Sequence, residues 1–173
     1  MLLAGIVGQE DMMETVGLIN SILSATGKKI SVADSAGLAG LDVKTLRSYM
    51  SELDKNMTDM LLLKLNGSNL DKLLSNGLNF DIMIFTGNSN TADSAISYAQ
   101  NNISVNCQKL QSFMGDKGIT IVNVDDKELI SLLEGKLQRV VTYGFNSKAS
   151  ITTSSIMDNL LDGSFMSSSE VKD

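Results

Sequence analysis

The chain has 173 residues, a formal net charge of −6, 43% hydrophobic and 20% charged residues, which is the composition of one globular domain with a sizeable core. The acidic balance, the absence of a basic patch and the lack of any apolar run near the roughly 20 residues of a membrane span argue against nucleic acid and membranes as partners. Histidine is absent, which excludes histidine bases, triads and metal ligands, and the single cysteine, Cys107, excludes an internal disulfide and predicts a reducing cytoplasm.

Apolar runs alternate with segments of helical spacing along the chain. The predicted elements are, in order, a strand at Leu2–Val7, a helix at 10–25, a strand at 28–33, a helix at 42–53, a strand at Met60–Leu65, a helix at 70–78, a strand at Phe80–Phe85, a helix at 94–114, a strand at 119–124, a helix at 127–134 and a strand at 139–143. One more strand is expected from Ile151, and the polar residues 164–173 are expected to form a disordered tail after a domain of residues 1–163. Strands separated by helices predict a single-domain α/β fold with a mainly parallel sheet, helices on both faces and ligands at the carboxyl ends of the strands.

The first predicted strand leads through a glycine-containing loop into the first helix, which is the layout of a phosphate-binding loop. Residues 5–13 read GIVGQEDMM, whereas a working loop needs G-x-x-x-x-G-K-[ST]. The segment resembles the loop of the Mur ligase family, which reads roughly G-I-T-G-T-N-G-K-T-T. Gly5 and Gly8 match that motif, and the resemblance assigns them to a vestigial nucleotide site within a P-loop NTPase-like domain.

The residues that would hold ATP in that loop are replaced. Met12 stands in place of the phosphate lysine and Met13 in place of the threonine that binds Mg²⁺, while Glu10 and Asp11 add two negative charges where a triphosphate would lie. Both acids can instead cap the helix that follows, because a helix N-terminus favours one anion. A plain helix N-terminus without a ligand is therefore the simpler interpretation of this loop.

The resemblance continues through the middle of the chain in the same order and spacing. Residues 22–30 resemble the family's I-L-x-x-x-G-K-K-V, and residues 80–86 resemble F-D-x-x-x-F-T. Residues 60–67 resemble the strand that ends in E-V-S-S, whose glutamate helps to bind Mg²⁺, and Lys64 reverses that charge. Ala92 stands where the family has a histidine. We expect Lys64 to pair with Asp11 or Glu10 and so to fill the vacated Mg²⁺–phosphate space.

Four polar residues of the later motifs are retained. Lys109 lies in a match to K-L-x-L-F, whose lysine is carbamylated in the family, and the simpler interpretation is a solvated helical lysine. Asn123, Asp125 and Asp126 lie in a match to V-N-A-D-D, which the family places near adenine and ribose. They are also the residue types that make ordinary turns and helix caps. A final match to T-Y-G-F follows at 142–145.

The resemblance covers most of the chain but not the family's catalytic machinery. The T-T-P substrate loop and the two flanking domains, one for the nucleotide-sugar precursor and one for the incoming amino acid, have no counterpart in these residues. The sequence therefore favours a non-catalytic binding or regulatory protein linked to peptidoglycan synthesis, without a catalytic residue, metal or cofactor, and acting as a homodimer or docked on a cell-wall enzyme. The alternative is a weak ATP-binding protein or a split subunit of an ATP-dependent amide ligase, which would use ATP and Mg²⁺ with other domains in trans.

Overall fold

The structure is a computed structural model, and it describes residues 1–8, 12–65, 72–73, 75–86, 114–133, 139–159 and 164–171. Eight strands form one sheet in the order β2-β3-β1-β4-β5-β6-β7-β8. The strands are β1 Leu2–Val7, β2 Ile30–Asp34, β3 Met60–Leu65, β4 Phe80–Phe85, β5 Met114–Asn123, β6 Val140–Gly144, β7 Ile151–Asn159 and β8 Ser164–Val171. The described helices are α1 Met12–Ala25, α2 Ser35–Ala39, α3 Val43–Lys55 and α4 Lys127–Leu133.

Strands β1 to β7 run parallel to one another, and β8 pairs antiparallel with β7. The three central strands β1, β3 and β4 have the continuous apolar sequences that a parallel sheet covered on both faces requires. The predicted α/β fold with a mainly parallel sheet is therefore confirmed, and the predicted bounds of these three strands agree with the structure.

The core is divided between the two faces of the sheet. On one face α1 packs Val16 against a cluster that contains Ala4, Ile6 and Leu62. On the other face lies a larger cluster, to which α2, α3 and α4 contribute Leu38, Leu46 and Leu129 respectively. None of the helices in the described part is both long and apolar enough to cross a membrane.

Polar residues and glycine mark where the helices begin and end. The side chain of Asp42 caps α3 by accepting a hydrogen bond from the backbone N–H of Thr45 at 2.9 Å. After α1 the chain turns at Gly27, whose φ of +82° suits glycine. After α3 the corresponding left-handed position is filled by Met57 at a φ of +56°, which is unfavourable for a residue with a Cβ.

Three sequence predictions differ from the structure. Strand β5 already begins at Met114, where the sequence analysis ends a helix, so the strand starts five residues before the predicted Ile119. The short helix α2 was not predicted, and it forms because Asp34 at the end of β2 caps it. The expected disordered tail is strand β8 over Ser164–Val171, whose backbone groups find partners on β7. Residues 94–113 of the predicted long helix lie outside the described residues.

Candidate nucleotide site at the carboxyl edge of the sheet

The candidate site lies where the strand order reverses. The chain leaves β1 toward β2 on one side, returns through β3, and then continues with β4 on the other side of β1. In open α/β sheets the crevice at such a switch point, outside the carboxyl ends of the strands, is the usual ligand site. The ends of β1, β2, β3 and β4 therefore frame the site, with residues 9–11 of the connecting loop outside the described residues.

Gly8 lies against Thr86, which follows β4. The Thr86 backbone N–H donates a hydrogen bond to the Val7 carbonyl at 3.0 Å, and the Thr86 hydroxyl also donates to that carbonyl at 3.3 Å. A Cβ built on Gly8 would lie only 1.8 Å from the Thr86 hydroxyl oxygen. A residue with a side chain therefore cannot replace Gly8 without a shift, and the glycine is explained by the close approach of β1 to Thr86.

Gly5 lies inside β1 and is buried in the core. A Cβ at this position would meet a methyl carbon of Leu65 at 2.6 Å and the sulfur of Met83 at 2.8 Å. Both neighbours belong to the adjacent strands β3 and β4. Close packing between strands thus accounts for Gly5, which in this structure is a core residue and not part of the loop.

The two methionines that replace the lysine and threonine of a working loop point in different directions. Met12 is half-buried and packs against the apolar cluster beneath α1. Met13 is 61% exposed, and its sulfur lies 3.5 Å from the Lys64 ammonium. The first position of α1 therefore contributes to the core, and the second contacts the end of β3.

Lys64 forms an ion pair with Asp34, with 3.3 Å between its ammonium nitrogen and a carboxylate oxygen. The two residues face each other at the carboxyl ends of adjacent parallel strands, where Asp34 on β2 is in register with Lys64 on β3. The Lys64 side chain is only 19% exposed. The expected pairing with Asp11 or Glu10 falls on residues outside the described part. Sequence reasoning missed Asp34, because the sequence shows an acid near the end of the second strand but not that this strand lies beside β3.

Two hydrogen-bonding partners hold the Asp34 carboxylate in its charged form. The backbone N–H of Ala36 donates to it at 2.9 Å, and this bond is the main reason why the pKa of Asp34 lies below its ordinary value of 3.8. Burial opposes this effect by raising the pKa of Asp34, and the Lys64 ammonium lowers it again through a hydrogen bond and its charge. The carboxylate therefore caps α2 and compensates the lysine at the same time.

Asn123 ends β5, Asp125 follows it, and the side chains of both accept hydrogen bonds from nearby backbone N–H groups. The Asn123 side-chain oxygen accepts a hydrogen bond from the Asp125 N–H at 3.0 Å, which makes a local turn. The Asp125 carboxylate accepts hydrogen bonds from the N–H groups of Phe145 at 2.6 Å and Asn146 at 3.1 Å. A Cβ on Gly144 would overlap that carboxylate, at 2.4 Å. Asp125 therefore ties the end of β5 to the turn that follows β6.

Asp126 caps α4, because its side chain accepts a hydrogen bond from the Leu129 N–H at 2.9 Å and its carbonyl accepts one from Ile130 at 3.0 Å. Tyr143 on β6 donates a hydrogen bond from its hydroxyl to the Phe85 carbonyl at 3.4 Å, across the end of β5. Lys109 and Ala92 lie outside the described residues. Within the described ranges, no three acidic or cysteine side chains cluster closely enough to hold a metal ion.

A mainly parallel sheet with helices on both faces and a reversal of strand order next to β1 defines a doubly wound α/β domain. The sequence matches the Mur ligase middle domain over residues 15–172, and the chain belongs to that family. The match begins after the glycine loop, so the likeness of the loop depends on Gly5 and Gly8 alone.

The fold is similar to the solved structure of a UDP-N-acetylmuramoyl-L-alanyl-D-glutamate–2,6-diaminopimelate ligase, with a TM-score of 0.63 and 14% sequence identity. The similarity covers 90% of this chain and 34% of that ligase, so this chain spans about a third of the length of the solved relative. No curated protein matches the sequence at a significant level.

Proposed function

We propose that this chain is a non-catalytic relative of the Mur ligase central domain that works as a binding or regulatory protein in peptidoglycan synthesis. The ion pair between Lys64 and Asp34 is the observation that carries this proposal. It occupies the end of β3, where the family resemblance expects a glutamate that helps to bind Mg²⁺.

A lysine at this point opposes a bound divalent cation. Two unit charges about 4 Å apart interact by on the order of 4 kcal/mol near a protein surface, and Mg²⁺ carries two charges. Asp34 cannot offset this repulsion fully, because it already compensates the Lys64 ammonium and accepts the hydrogen bond that begins α2. Without the metal, the charge of a triphosphate at this edge would lack its main counterion.

The start of α1 supports the same conclusion. Met12 contributes a half-buried apolar side chain where a phosphate-binding loop has its lysine, so no cation reaches the phosphate position from this residue. The polar residues after β5 are engaged as well, because Asp125 and Asp126 hold backbone N–H groups of the chain itself. A ligand at this edge would have to displace these internal contacts.

The role in peptidoglycan synthesis follows from the family. The fold can persist after the chemistry is lost, because function depends on the residues of a site and not on the scaffold. The chain would then act in the cytoplasm as a homodimer or bound to a cell-wall enzyme, and its surface, not a nucleotide, would carry the function.

Calorimetric titration of the unmodified protein with ATP and Mg²⁺ tests the proposal. We expect no binding at millimolar nucleotide. The combined substitutions Asp11→Gly, Met12→Lys, Met13→Thr and Lys64→Glu should produce measurable ATP binding, since one charge-assisted hydrogen bond contributes roughly 1.5–3 kcal/mol. The same protein with Lys64→Met in place of Lys64→Glu is the matched control, because it removes the cation without supplying a metal ligand.

Micromolar binding of ATP and Mg²⁺ by the unmodified chain would overturn the proposal. It would favour the alternative, a nucleotide-binding protein or a split subunit of an amide ligase that works with other domains in trans. If the four-residue variant is folded but does not bind ATP at millimolar concentration, the loop backbone has diverged and the comparison with a phosphate loop is wrong.

A further inference from the structure

Helix α3 carries a positively charged strip on its outward side. Its inward side packs Leu46 into the core, with partly buried neighbours beside it. On the other side, an open cavity of about 520 Å³ is lined by α3 residues that include three cations and two hydroxyls and no acid: Val43, Lys44, Arg47, Ser48, Ser51 and Lys55. We call Lys44, Arg47 and Lys55, with the two serines between them, the basic strip.

Three acids lie close to the basic strip in sequence. Glu52 belongs to α3 itself, where it is exposed three residues before Lys55. Asp42 caps α3 through the backbone N–H and the hydroxyl of Thr45, at 2.9 and 2.7 Å. Asp54 pairs with the N-terminal ammonium at 3.4 Å. Within the described residues, no cation of the strip lies within ion-pair distance of a carboxylate. Glu52 therefore flanks the strip, but Lys44, Arg47 and Lys55 remain outside ion pairs with the described acids, on a protein whose formal net charge is −6.

We propose that the basic strip binds an acidic, extended segment of a partner protein. The observation behind this inference is the complementarity between a row of cations that form no ion pairs in the described ranges and an acidic peptide. It goes beyond the loss of nucleotide binding and does not depend on it.

The length of the strip indicates a peptide and not a small anion. Lys44 and Lys55 are separated by eleven residues at about 1.5 Å each, so the cations extend over about 16 Å along the helix. An extended peptide rises about 3.3 Å per residue, and about five residues would therefore cover the strip. A single phosphate would reach only one or two of the three cations, and the serine hydroxyls can donate hydrogen bonds to carboxylates between them.

Two other anionic partners fit the surface less well. Affinity for nucleic acid grows with the number of phosphates that are contacted, and three cations on one helix contact few of them. Val43 is the one apolar side chain on the cavity lining in the described part, so the strip lacks the apolar anchors of a membrane-binding helix.

The test is a binding titration with a fluorescein-labelled hexaglutamate peptide, with hexaglutamine as the neutral control. We expect the full chain to bind hexaglutamate and to lose affinity as NaCl is raised from about 50 to about 300 mM, because exposed charges are screened. The variant with Lys44→Glu, Arg47→Glu and Lys55→Glu should bind at least about 10-fold more weakly, since three attractive exposed pairs become repulsive.

A second triple variant separates the strip from the overall charge. Lys127→Glu, Arg139→Glu and Lys148→Glu replace the same residue types at exposed positions far from α3 and change the net charge equally. We expect this control to bind hexaglutamate within about twofold of the unmodified protein. Circular dichroism and urea unfolding should show that both variants are folded.

Any one of the following outcomes would overturn the proposal. The first is that hexaglutamate does not bind, and the second is that the control variant loses as much affinity for hexaglutamate as the strip variant. Inorganic phosphate displaces the peptide at the same concentration, which would indicate a single-anion site. Double-stranded DNA or phosphatidylserine vesicles bind the strip more tightly than the peptide. The last is that sedimentation shows a dimer of the unmodified protein and a monomer of the strip variant, which would assign the strip to contact between copies of this chain.

Discussion

Single residues at the carboxyl edge of the sheet are held by contacts within the chain. Gly8 has no room for a side chain beside Thr86, and Lys64 is paired with Asp34. The Asp125 carboxylate fixes the turn after β6, and Asp126 caps α4. Gly8, Asp125 and Asp126 match the family motif, and Lys64 departs from it. In each case a contact within the chain explains the residue. Resemblance of a motif is therefore compatible with an entirely structural role.

The contact between Gly8 and Thr86 can be tested by substitution. Gly8→Ala should lower the free energy of unfolding by about 2 kcal/mol, because the new Cβ would lie 1.8 Å from the Thr86 hydroxyl. Adding Thr86→Ala should recover part of that loss, since only the Thr86 Cβ at 3.2 Å then remains close. Gly17→Ala, where nothing lies within 4 Å, is the control and should stabilise α1 by about 0.5–1 kcal/mol. Urea unfolding measures all three effects, and equal stability of Gly8→Ala and the native protein would contradict the packing argument.

Met57 should be a source of backbone strain. Its φ of +56° is a conformation that glycine adopts easily and methionine does not, and its side chain is 82% exposed, so little packing is lost on substitution. We expect Met57→Gly to raise the free energy of unfolding by about 0.5–1 kcal/mol. Gly27→Ala, at a φ of +82°, should have the opposite sign. A destabilised Met57→Gly variant in urea unfolding would show that the methionine side chain makes a contribution that outweighs the strain.

Among the secondary-structure elements, the sheet divides into a strongly supported centre and a weakly supported edge. Strands β1, β3 and β4 have neighbours on both sides and side chains in the core. In contrast, β7 joins β6 through only two residue pairs, Tyr143 with Ile151 and Gly144 with Thr152, and β8 pairs with β7 alone. A two-stranded ribbon without further support is marginally stable in water.

Hydrogen–deuterium exchange should reveal this difference between the elements. We expect the backbone amides of residues 153–159 and 164–171 to exchange at least about 100-fold faster than those of β1 and β3, because local opening of the β7–β8 ribbon costs less free energy than opening of the core. Mass spectrometry of peptic fragments gives the rates, and Leu2–Val7 serves as the internal reference. Equal protection of the ribbon and of β1 would mean that the ribbon packs against a surface that stabilises it.

At the scale of the whole molecule, acidic residues at the ends of elements contribute to stability in a pH-dependent way. Hydrogen bonds from backbone N–H groups lower the pKa values of three aspartates below 3.8, with donors at Ala36 for Asp34, Thr45 for Asp42 and Lys29 for Asp59. The three carboxylates lie at both ends of the sheet, and two of them begin helices. Protonation therefore acts on the junctions between strands and helices, not on the core.

The pH dependence of unfolding has a definite sign. A carboxylate with a lower pKa in the folded state stabilises the protein above the unfolded value of 3.8, and this contribution disappears as the pH falls through the folded pKa. We expect the urea midpoint to be level from pH 7 to about 5 and to fall below about pH 4. The combined variant Asp34→Asn, Asp42→Asn and Asp59→Asn should be less stable at pH 7 but show a shallower acid decline. An unchanged acid decline in that variant would assign the pH dependence to other groups.

The sequence by itself determined the elements whose apolar pattern is strong. Continuous apolar runs predicted β1, β3 and β4 with the bounds that the structure has, and Asp42 marked the start of α3. The order of these elements predicted the parallel sheet and located the candidate site at its carboxyl edge. Local signals suffice here because a strand buried on both faces needs little beyond its own apolar residues.

Only the tertiary structure decided which residues meet at that edge. The partnership of Lys64 with Asp34 depends on β3 lying beside β2, and residues thirty positions apart carry no mark of this neighbour relation. The contact of Gly8 with Thr86 likewise requires β4 beside β1, and the early start of β5 and the strand at Ser164–Val171 both require a neighbouring strand. In a sheet, hydrogen-bonding and charge partners come from distant parts of the sequence, so strand order settles contacts that periodicity leaves open.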